Sequence, residues 1–147
     1  MKKISLSVLS VFIIGVLLVF QNCGNKDDET AKQRTERILT SKNWTVSSVN
    51  VPVNTATEST DWVDFTVSFN ASSMTTTQHP TGAQVVWPSG GYTVNEGGDQ
   101  VTRADGIMMF INPITDTNFT ATFTMPSGTE IGARIASLEG EYTFNMK

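Results

Sequence analysis

The sequence predicts an all-β protein: a single antiparallel up-and-down barrel of about eight strands, preceded by a signal peptide and one short N-terminal helix. Three observations predict it. Apolar and polar residues alternate in several segments after position 43, which is the period of a half-buried strand. Short stretches rich in Gly, Pro, Asn and Asp separate these segments, and short loops join antiparallel neighbours. No segment with helical periodicity interrupts the strands. A sandwich of two sheets is the alternative.

The chain begins with an apolar segment, and residues 1–22 are predicted to be a lipoprotein signal peptide. Lys2 and Lys3 form a basic start, and residues 4–20 are apolar apart from three serines and a glycine, which is the layout of a secretory signal. A membrane-spanning helix needs roughly 20 apolar residues, and this run has 17. An uncleaved signal anchor is therefore the alternative.

Cys23 is the only cysteine of the chain and follows the apolar segment closely. A lone thiol in an exported protein has no intramolecular disulfide partner, and attachment of lipid would remove the free thiol. We therefore predict that Cys23 is lipidated and that residues 23–29 form a tether. Durable anchoring takes more than one acyl chain, which a multiply acylated cysteine supplies.

Residues 30–42 are predicted to form the N-terminal helix. Helix-forming side chains occupy positions 30–41 without Gly or Pro. Only Ala31, Ile38 and Leu39 are apolar, so this helix cannot bury much surface on its own. We expect Ile38 and Leu39 to dock against the domain that follows, where the helix could close one mouth of a barrel.

Residues 43–147 are predicted to form the barrel, and the clearest strands are residues 62–69, 119–125 and 142–146. In the first of these, Val63 and Phe65 point to one side and Trp62 to the other. Residues 107–111 are apolar throughout, which predicts a strand buried on both faces. Asn112-Pro113 is predicted to be a turn. The weaker strand candidates are residues 44–51, 73–78, 84–87 with a continuation through 92–95, 100–103 and 107–111.

The charge distribution excludes nucleic acid as a partner. Without residues 1–22, which contain two lysines and no acid, the chain has 8 basic and 14 acidic residues and a formal net charge of −6. From position 43 onward the only bases are Arg103, Arg134 and Lys147. No basic stripe exists to follow a phosphate backbone.

The supply of reactive side chains predicts no enzymatic activity, no catalytic residue, no metal site and no cofactor. His79 is the only histidine and precedes Pro80 in a turn, whereas a zinc site takes several His or Cys ligands. Glu139 and Glu141 are spaced to share one strand face, as acid–base catalysis would need. Glu141 alternates with Tyr142, however, and is expected to face solvent.

The aromatic side chains are the remaining candidates for binding. Most are placed on inward strand faces, where they would fill the core. Trp62 is the best candidate for a contact with a ligand or partner, either at a barrel mouth or under the N-terminal helix. The full set of candidate ligand-binding residues is Trp62, Trp44, Trp87 and Tyr92.

Several motifs along the chain carry a resemblance to a known family. They are Asn25-Lys26-Asp27-Asp28-Glu29 after the cysteine, Ile38-Leu39-Thr40-Ser41 and Lys42-Asn43-Trp44-Thr45-Val46 at the start of the barrel, and Trp87-Pro88-Ser89-Gly90-Gly91-Tyr92-Thr93-Val94 and Arg103-Ala104-Asp105-Gly106 further on. With these, the chain resembles the lipocalin-like surface lipoproteins of the Bacteroidota. The resemblance implies that Lys26, Asp27, Asp28 and Glu29 act as an export signal. It also implies a small barrel whose interior can hold an apolar ligand, in a family mostly of unassigned activity and without catalytic residues to carry over.

Together these features predict a non-enzymatic lipoprotein, held in the outer membrane by its N-terminal lipid anchor, with exposure at the cell surface as one option. The expected function is binding of a small apolar ligand inside a lipocalin-like barrel. The alternative is a protein–protein interaction or accessory module of a cell-envelope complex, which would dock through its outer face or its loops.

Overall fold

The structure, a computed structural model, describes residues 28–129 and 137–147 and shows a closed barrel of eight antiparallel strands. Each strand pairs with the next one in the chain, and β8 pairs with β1 to close the barrel. The predicted up-and-down barrel with one short N-terminal helix is confirmed, and the alternative sandwich is not formed. The elements are α1 (Ala31–Leu39), β1 (Asn43–Asn50), a 3-10 helix (Ser59–Trp62), β2 (Thr66–Phe69), β3 (Ser73–Thr77), β4 (Gly90–Val94), β5 (Gln100–Arg103), β6 (Met108–Ile114), β7 (Phe119–Met125) and β8 (Gly140–Met146).

The alternation of apolar and polar residues determines which strand faces are buried. In β7, Phe119, Ala121, Phe123 and Met125 are buried, while the threonines between them lie on the outer side. The β7–β8 ladder is the longest of the barrel and runs without a register shift from Phe119–Met146 to Met125–Gly140. Period-two patterning therefore places one apolar face of every strand in a common core.

Helix α1 begins at a capping box, as its sequence favours. The Gln33 backbone N–H donates to the Thr30 hydroxyl at 3.2 Å, and the Thr30 N–H donates to the Gln33 side-chain oxygen at 2.9 Å. At the other end of the helix, Ile38 and Leu39 are buried in the barrel core. The predicted docking of these two side chains is confirmed.

The helix covers the end of the barrel at which β1 begins. The Thr35 hydroxyl donates to the Gly98 carbonyl at 2.7 Å, and the Trp44 indole N–H donates to the Leu39 carbonyl at 2.8 Å. Gly98 has a φ of +71°, and a Cβ there would lie 2.5 Å from the Ala31 carbonyl oxygen. Only glycine allows the β4–β5 turn to approach the helix this closely.

The loops between β1 and β2 and between β3 and β4 fold over the opposite end of the barrel. The first contributes Trp62 from the 3-10 helix, and the second contributes Val86 and Trp87, all three fully buried. Residues 84–87 therefore belong to a loop that places Val86 and Trp87 inside the barrel while Val85 is 46% exposed, and the strand predicted there is wrong. They could not be told apart from a strand because a short apolar run has no period of its own.

The strand predicted over residues 62–69 is correct only from Thr66 onward. Trp62 ends the 3-10 helix and is fully buried, whereas Val63 is 67% exposed, so the predicted orientation of these two side chains is reversed. The cause is a local turn. The Glu58 N–H donates to the Asp61 carboxylate at 2.7 Å, and the Phe65 N–H donates to the Trp62 carbonyl at 3.0 Å. These bonds break the alternation just before β2.

Strand β6 is buried on one face only, which corrects the prediction for residues 107–111. Met109 and Ile111 point into the core, while Met108 and Phe110 on the outer face are 54% and 51% exposed. A single-layered barrel buries only the inner face of a strand unless another element covers it, and α1 lies elsewhere. The cis peptide Asn112-Pro113 lies within β6, at a register shift against β7, and not in a turn.

Candidate functional site

The predicted ligand-binding residues Trp62 and Trp87 lie inside one aromatic cluster that fills the end of the barrel opposite α1. The Phe144 ring lies between them, with centroid distances of 5.0 Å to each. Phe65 and Phe123 complete the contacts, at 5.4 Å from Trp62 and 5.6 Å from Trp87. Most of these contacts are edge-to-face, the arrangement that aromatic pairs prefer. The rings therefore fill the space between them with side chains of the protein itself.

The other two predicted ligand-binding residues lie towards the α1 end. Trp44 is fully buried, with its ring centroid 4.9 Å from that of Phe119 and the Lys42 ammonium group 4.4 Å from the Trp44 ring. The Tyr92 hydroxyl donates to the Asn70 carbonyl at 2.6 Å. Burial raises the pKa of Tyr92.

The four candidate ligand-binding residues lie in two places. Trp62 and Trp87 lie in one cluster, whereas Trp44 and Tyr92 lie towards the helix, and all four are buried. Sequence alternation placed most aromatic side chains on inward faces but assigned Trp62 to the opposite face of its strand. It could not show that neighbouring rings already occupy the space in front of them, because those neighbours come from β2, β7 and β8.

His79 belongs to the same packed end and not to an exposed turn. Its Nε2 lies 2.8 Å from the Trp87 carbonyl oxygen, which requires the proton on Nε2. Its ring lies 5.3 Å from that of Phe65 and 6.5 Å from that of Trp62. These contacts tie the β3–β4 loop to the aromatic cluster, which is a structural role.

An ion pair between the buried Arg103 and the partly exposed Asp105, which the sequence did not reveal, lies at the same end of the barrel. Arg103 points inward from β5, and its guanidinium donates to the Asp105 carboxylate through Nε at 3.1 Å and also through Nη2. Nη1 donates to the Val86 carbonyl at 2.6 Å. The guanidinium also lies 5.2 Å from the Phe123 ring. The only sequence signal was an arginine at an inward position of an alternating strand.

The environment of Asp105 favours its charged form. Partial burial acts to raise its pKa, but hydrogen bonds from the Arg103 guanidinium and from the Ile107 N–H outweigh burial. The pKa of Asp105 is therefore lowered from its ordinary value. A carboxylate held ionised by an adjacent arginine is a poor general acid or base near neutral pH, so this pair holds loops together.

The predicted signal peptide 1–22, the predicted lipidation site Cys23, and Lys26 and Asp27 of the predicted export signal lie outside the described residues. Asp28 and Glu29 are described and exposed. Glu29 accepts two hydrogen bonds from Arg37, at 2.7 and 3.2 Å. These hydrogen bonds lower the pKa of Glu29 from its ordinary value. The last residue of the predicted tether is thus joined to α1.

A largely apolar groove of about 470 Å³ lies between β1 and the 3-10 helix. Ligand sites commonly measure about 300–1,000 Å³. A second hollow, of about 490 Å³, shares Ser59 and Thr60 with the first and extends along the β1–β2 loop. The first groove is lined by Val46, Ser47, Ser48, Val49, Ser59, Thr60 and Val63.

Within residues 28–129 and 137–147, no three His, Cys, Asp or Glu side chains lie together in a way that could hold a metal ion. No helix in this described part of the chain is long and apolar enough to span a membrane. Comparison of the chain with models of known protein families, with curated proteins and with solved structures found no match.

Proposed function

We propose that the protein is a non-enzymatic lipoprotein that is anchored in the outer membrane through Cys23 and docks on another protein of the cell envelope. One observation carries the choice of docking over ligand transport: the barrel end opposite α1 is filled by the packed rings of Trp62, Trp87 and Phe144. A barrel that carries a ligand keeps interior space for it. A filled barrel offers its outer face and its loops instead.

The position of α1 supports an orientation of the barrel on the membrane. Six residues separate Cys23 from Thr30, and an extended chain spans at most 3.3–3.6 Å per residue, so the tether reaches roughly 25 Å. A lipid on Cys23 would therefore hold the α1 end of the barrel near the membrane. The opposite end, with the β1–β2 and β3–β4 loops, would point away from it, towards a partner.

Binding of a small apolar ligand inside the barrel is the competing function, and the lipocalin-like architecture favours it. Such a ligand would have to displace rings whose centroids lie 5.0 Å from that of Phe144. Opening this cluster would expose large aromatic surfaces to water unless the ligand covered them. The carrier function therefore needs a second arrangement of the core.

Replacement of Cys23 by serine should move the full-length protein from the membrane fraction to the soluble fraction, because serine has no thiol to acylate. Fractionation of cells and mass spectrometry of the intact wild-type chain measure this, and the wild-type mass should include the acyl groups. Asn25→Ser is the matched control and should stay in the membrane. Retention of Cys23→Ser in the membrane would instead indicate an uncleaved signal anchor over residues 4–20.

A photo-crosslinking residue at Val63 or at Phe110 tests docking. Both side chains are exposed, and they lie on different parts of the outer surface of the barrel. In cells, one of these positions should repeatedly yield the same envelope protein. The soluble Cys23→Ser chain should carry no lipid in a one-to-one ratio when its extract is analysed by mass spectrometry. A stoichiometric apolar molecule together with no crosslinked partner would favour the carrier function over docking.

A further inference from the structure

We propose that the groove between β1 and the 3-10 helix receives an extended, positively charged segment of the partner polypeptide, which lies beside β1 as an added strand. This inference rests on the docking function proposed above and names the site and the chemistry of the partner. Three properties of the groove carry it: a strand edge without a neighbouring strand in the described part of the chain, an apolar lining, and negative charge on one wall.

The first property comes from the short β1–β2 ladder. β1 pairs with β2 only over Asn43, Trp44 and Thr45. One further backbone bond, from the Val46 N–H to the Phe65 carbonyl at 3.0 Å, is the last between β1 and this segment among the described residues. β1 continues to Asn50 along β8 alone. A strand edge of this kind is a template for another strand.

A register shift in β1 accompanies the separation of the two strands. The pairing with β8 shifts between Val46 and Ser48, where an extra residue enters β1. A bulge bends a strand and increases its twist. The groove lies between β1 and the 3-10 helix, beside the point where the β1–β2 ladder ends.

The second property is the apolar lining. Val46, Val49 and Val63 line the groove, with Val46 and Val49 largely buried in the core, and the remaining lining residues are serines and a threonine without charge. Val63 is 67% exposed next to the buried Trp62. Side chains of an added strand alternate in direction, so every second side chain of the segment would meet this apolar lining.

The third property is the charge of the segment that forms one wall. Glu58, Asp61 and Asp64 lie within seven residues and are all exposed. The sequence contains no Lys or Arg between positions 43 and 102, and no ion pair of the described residues involves these three acids. A surface with one sign of charge attracts the opposite sign, which favours lysine or arginine in the segment.

The same charges disfavour the other occupants of an open strand edge. A second copy of this chain, paired edge to edge through β1, would bring Glu58, Asp61 and Asp64 against the same three residues. Anionic lipid headgroups would be repelled in the same way. A basic polypeptide segment is the occupant that matches both the strand edge and its charge.

The test uses a library of random linear peptides displayed on phage, selected on the full-length chain in a nonionic detergent. Enriched peptides should contain alternating apolar and basic residues. Synthetic copies of them should slow hydrogen exchange at the backbone amides of residues 46–50, measured by mass spectrometry. A copy with proline in place of every second residue should bind at least tenfold more weakly, because proline lacks the N–H that pairs with a strand edge.

Charge reversal provides the second arm of the test. Glu58→Lys together with Asp64→Lys, which leaves the Asp61 cap of the 3-10 helix in place, should weaken binding of the enriched peptide at least tenfold. Asp28→Lys together with Asp116→Lys changes the net charge equally on exposed residues near α1 and should leave binding within about twofold. Enrichment of acidic or uncharged peptides, or protection outside β1 and the 3-10 helix, would overturn the inference. Protection of β1 that grows with protein concentration alone would assign the edge to a second copy.

The groove and the docking function can fail separately. If crosslinking in cells yields a constant partner while the Glu58→Lys and Asp64→Lys variant still captures it with the same efficiency, docking stands and the groove is not the site. If neither Val63 nor Phe110 yields a crosslinked partner, the result contradicts the proposed docking function.

Discussion

Replacing Trp62 with alanine is expected to lower the free energy of unfolding by about 3–5 kcal/mol, the usual cost of removing a large buried aromatic side chain. Trp62 is fully buried and its ring lies 5.0 Å from Phe144 and 5.4 Å from Phe65. Its indole N–H also faces the buried Thr57 hydroxyl at 3.4 Å. Urea unfolding followed by circular dichroism measures the change.

Val63→Ala is the matched control, since Val63 is the next residue and is 67% exposed. Its effect should stay within about 0.5 kcal/mol, as is usual for surface substitutions. A strand over residues 62–69 with Val63 inside would produce the opposite order of effects. A larger loss for Val63→Ala than for Trp62→Ala would therefore contradict the structure of this segment.

Replacing Asp105 with alanine is expected to lower the free energy of unfolding by about 2–4 kcal/mol, because it leaves the Arg103 guanidinium buried without its counter-charge. The Arg103 side chain is 1% exposed and that of Asp105 is 35% exposed, so water compensates part of the loss. Removal of both partners, with Arg103→Met and Asp105→Ala, should cost less than the sum of the single changes.

Glu96→Ala is the control for this pair, because Glu96 pairs with Lys32 on the surface at 2.9 Å. Exposed ion pairs contribute little to stability, so its unfolding midpoint should hardly change. Equal losses for Asp105→Ala and Glu96→Ala would show that the Arg103 pair is solvated and does not hold the loops together.

The Asp105 carboxylate makes the free energy of unfolding depend on pH, and the direction of its pKa shift gives the sign. Because the pKa of Asp105 is lowered on folding, its stabilising effect is complete above the ordinary aspartate pKa of about 3.9 and is lost as pH falls through the lower folded value. Wild-type protein should therefore lose stability below about pH 4 more steeply than Asp105→Asn, measured by urea unfolding across acidic pH. Parallel curves for the two proteins would contradict the pairing.

The local pattern of apolar and polar residues was sufficient to predict most strands of the barrel wall. The strands predicted over residues 100–103 and 119–125 have the bounds that the structure shows, and the helix predicted over residues 30–42 ends three residues beyond Leu39. In these segments each residue's environment follows from its neighbours in sequence, because a half-buried strand alternates and a helix has caps. In these segments the apolar residues are the buried ones, and their spacing matches the local structure.

Prediction from sequence failed where contacts with distant parts of the chain determine the burial and local structure of a residue. Trp62, Val86 and Trp87 are apolar and buried without being in a strand, because they fill one end of the barrel. Phe110 is apolar and exposed, since in the described structure no element covers the outer face of β6. Sequence hydrophobicity records that a side chain is apolar and does not record which surface meets it.

The candidate site shows the same division. Serine and valine at positions 46–49 indicate an ordinary strand, the acids at 58 and 61 lie outside every predicted strand, and Asp64 lies on the polar face of the strand predicted over residues 62–69. The groove forms because β1 shifts register and parts from β2 after the Val46–Phe65 bond. Both events depend on pairing partners distant in sequence, which no local pattern contains.

The sequence by itself determined the class of the barrel, its single helix and its acidic surface, because strand period, capping and charge are local properties of the chain. The tertiary structure alone decided that the tryptophans fill the core, that Arg103 and Asp105 pair within one end, and that the β1 edge is open. Each of these depends on which side chains from different strands are in contact. Those contacts are set when β8 pairs with β1 and closes the barrel.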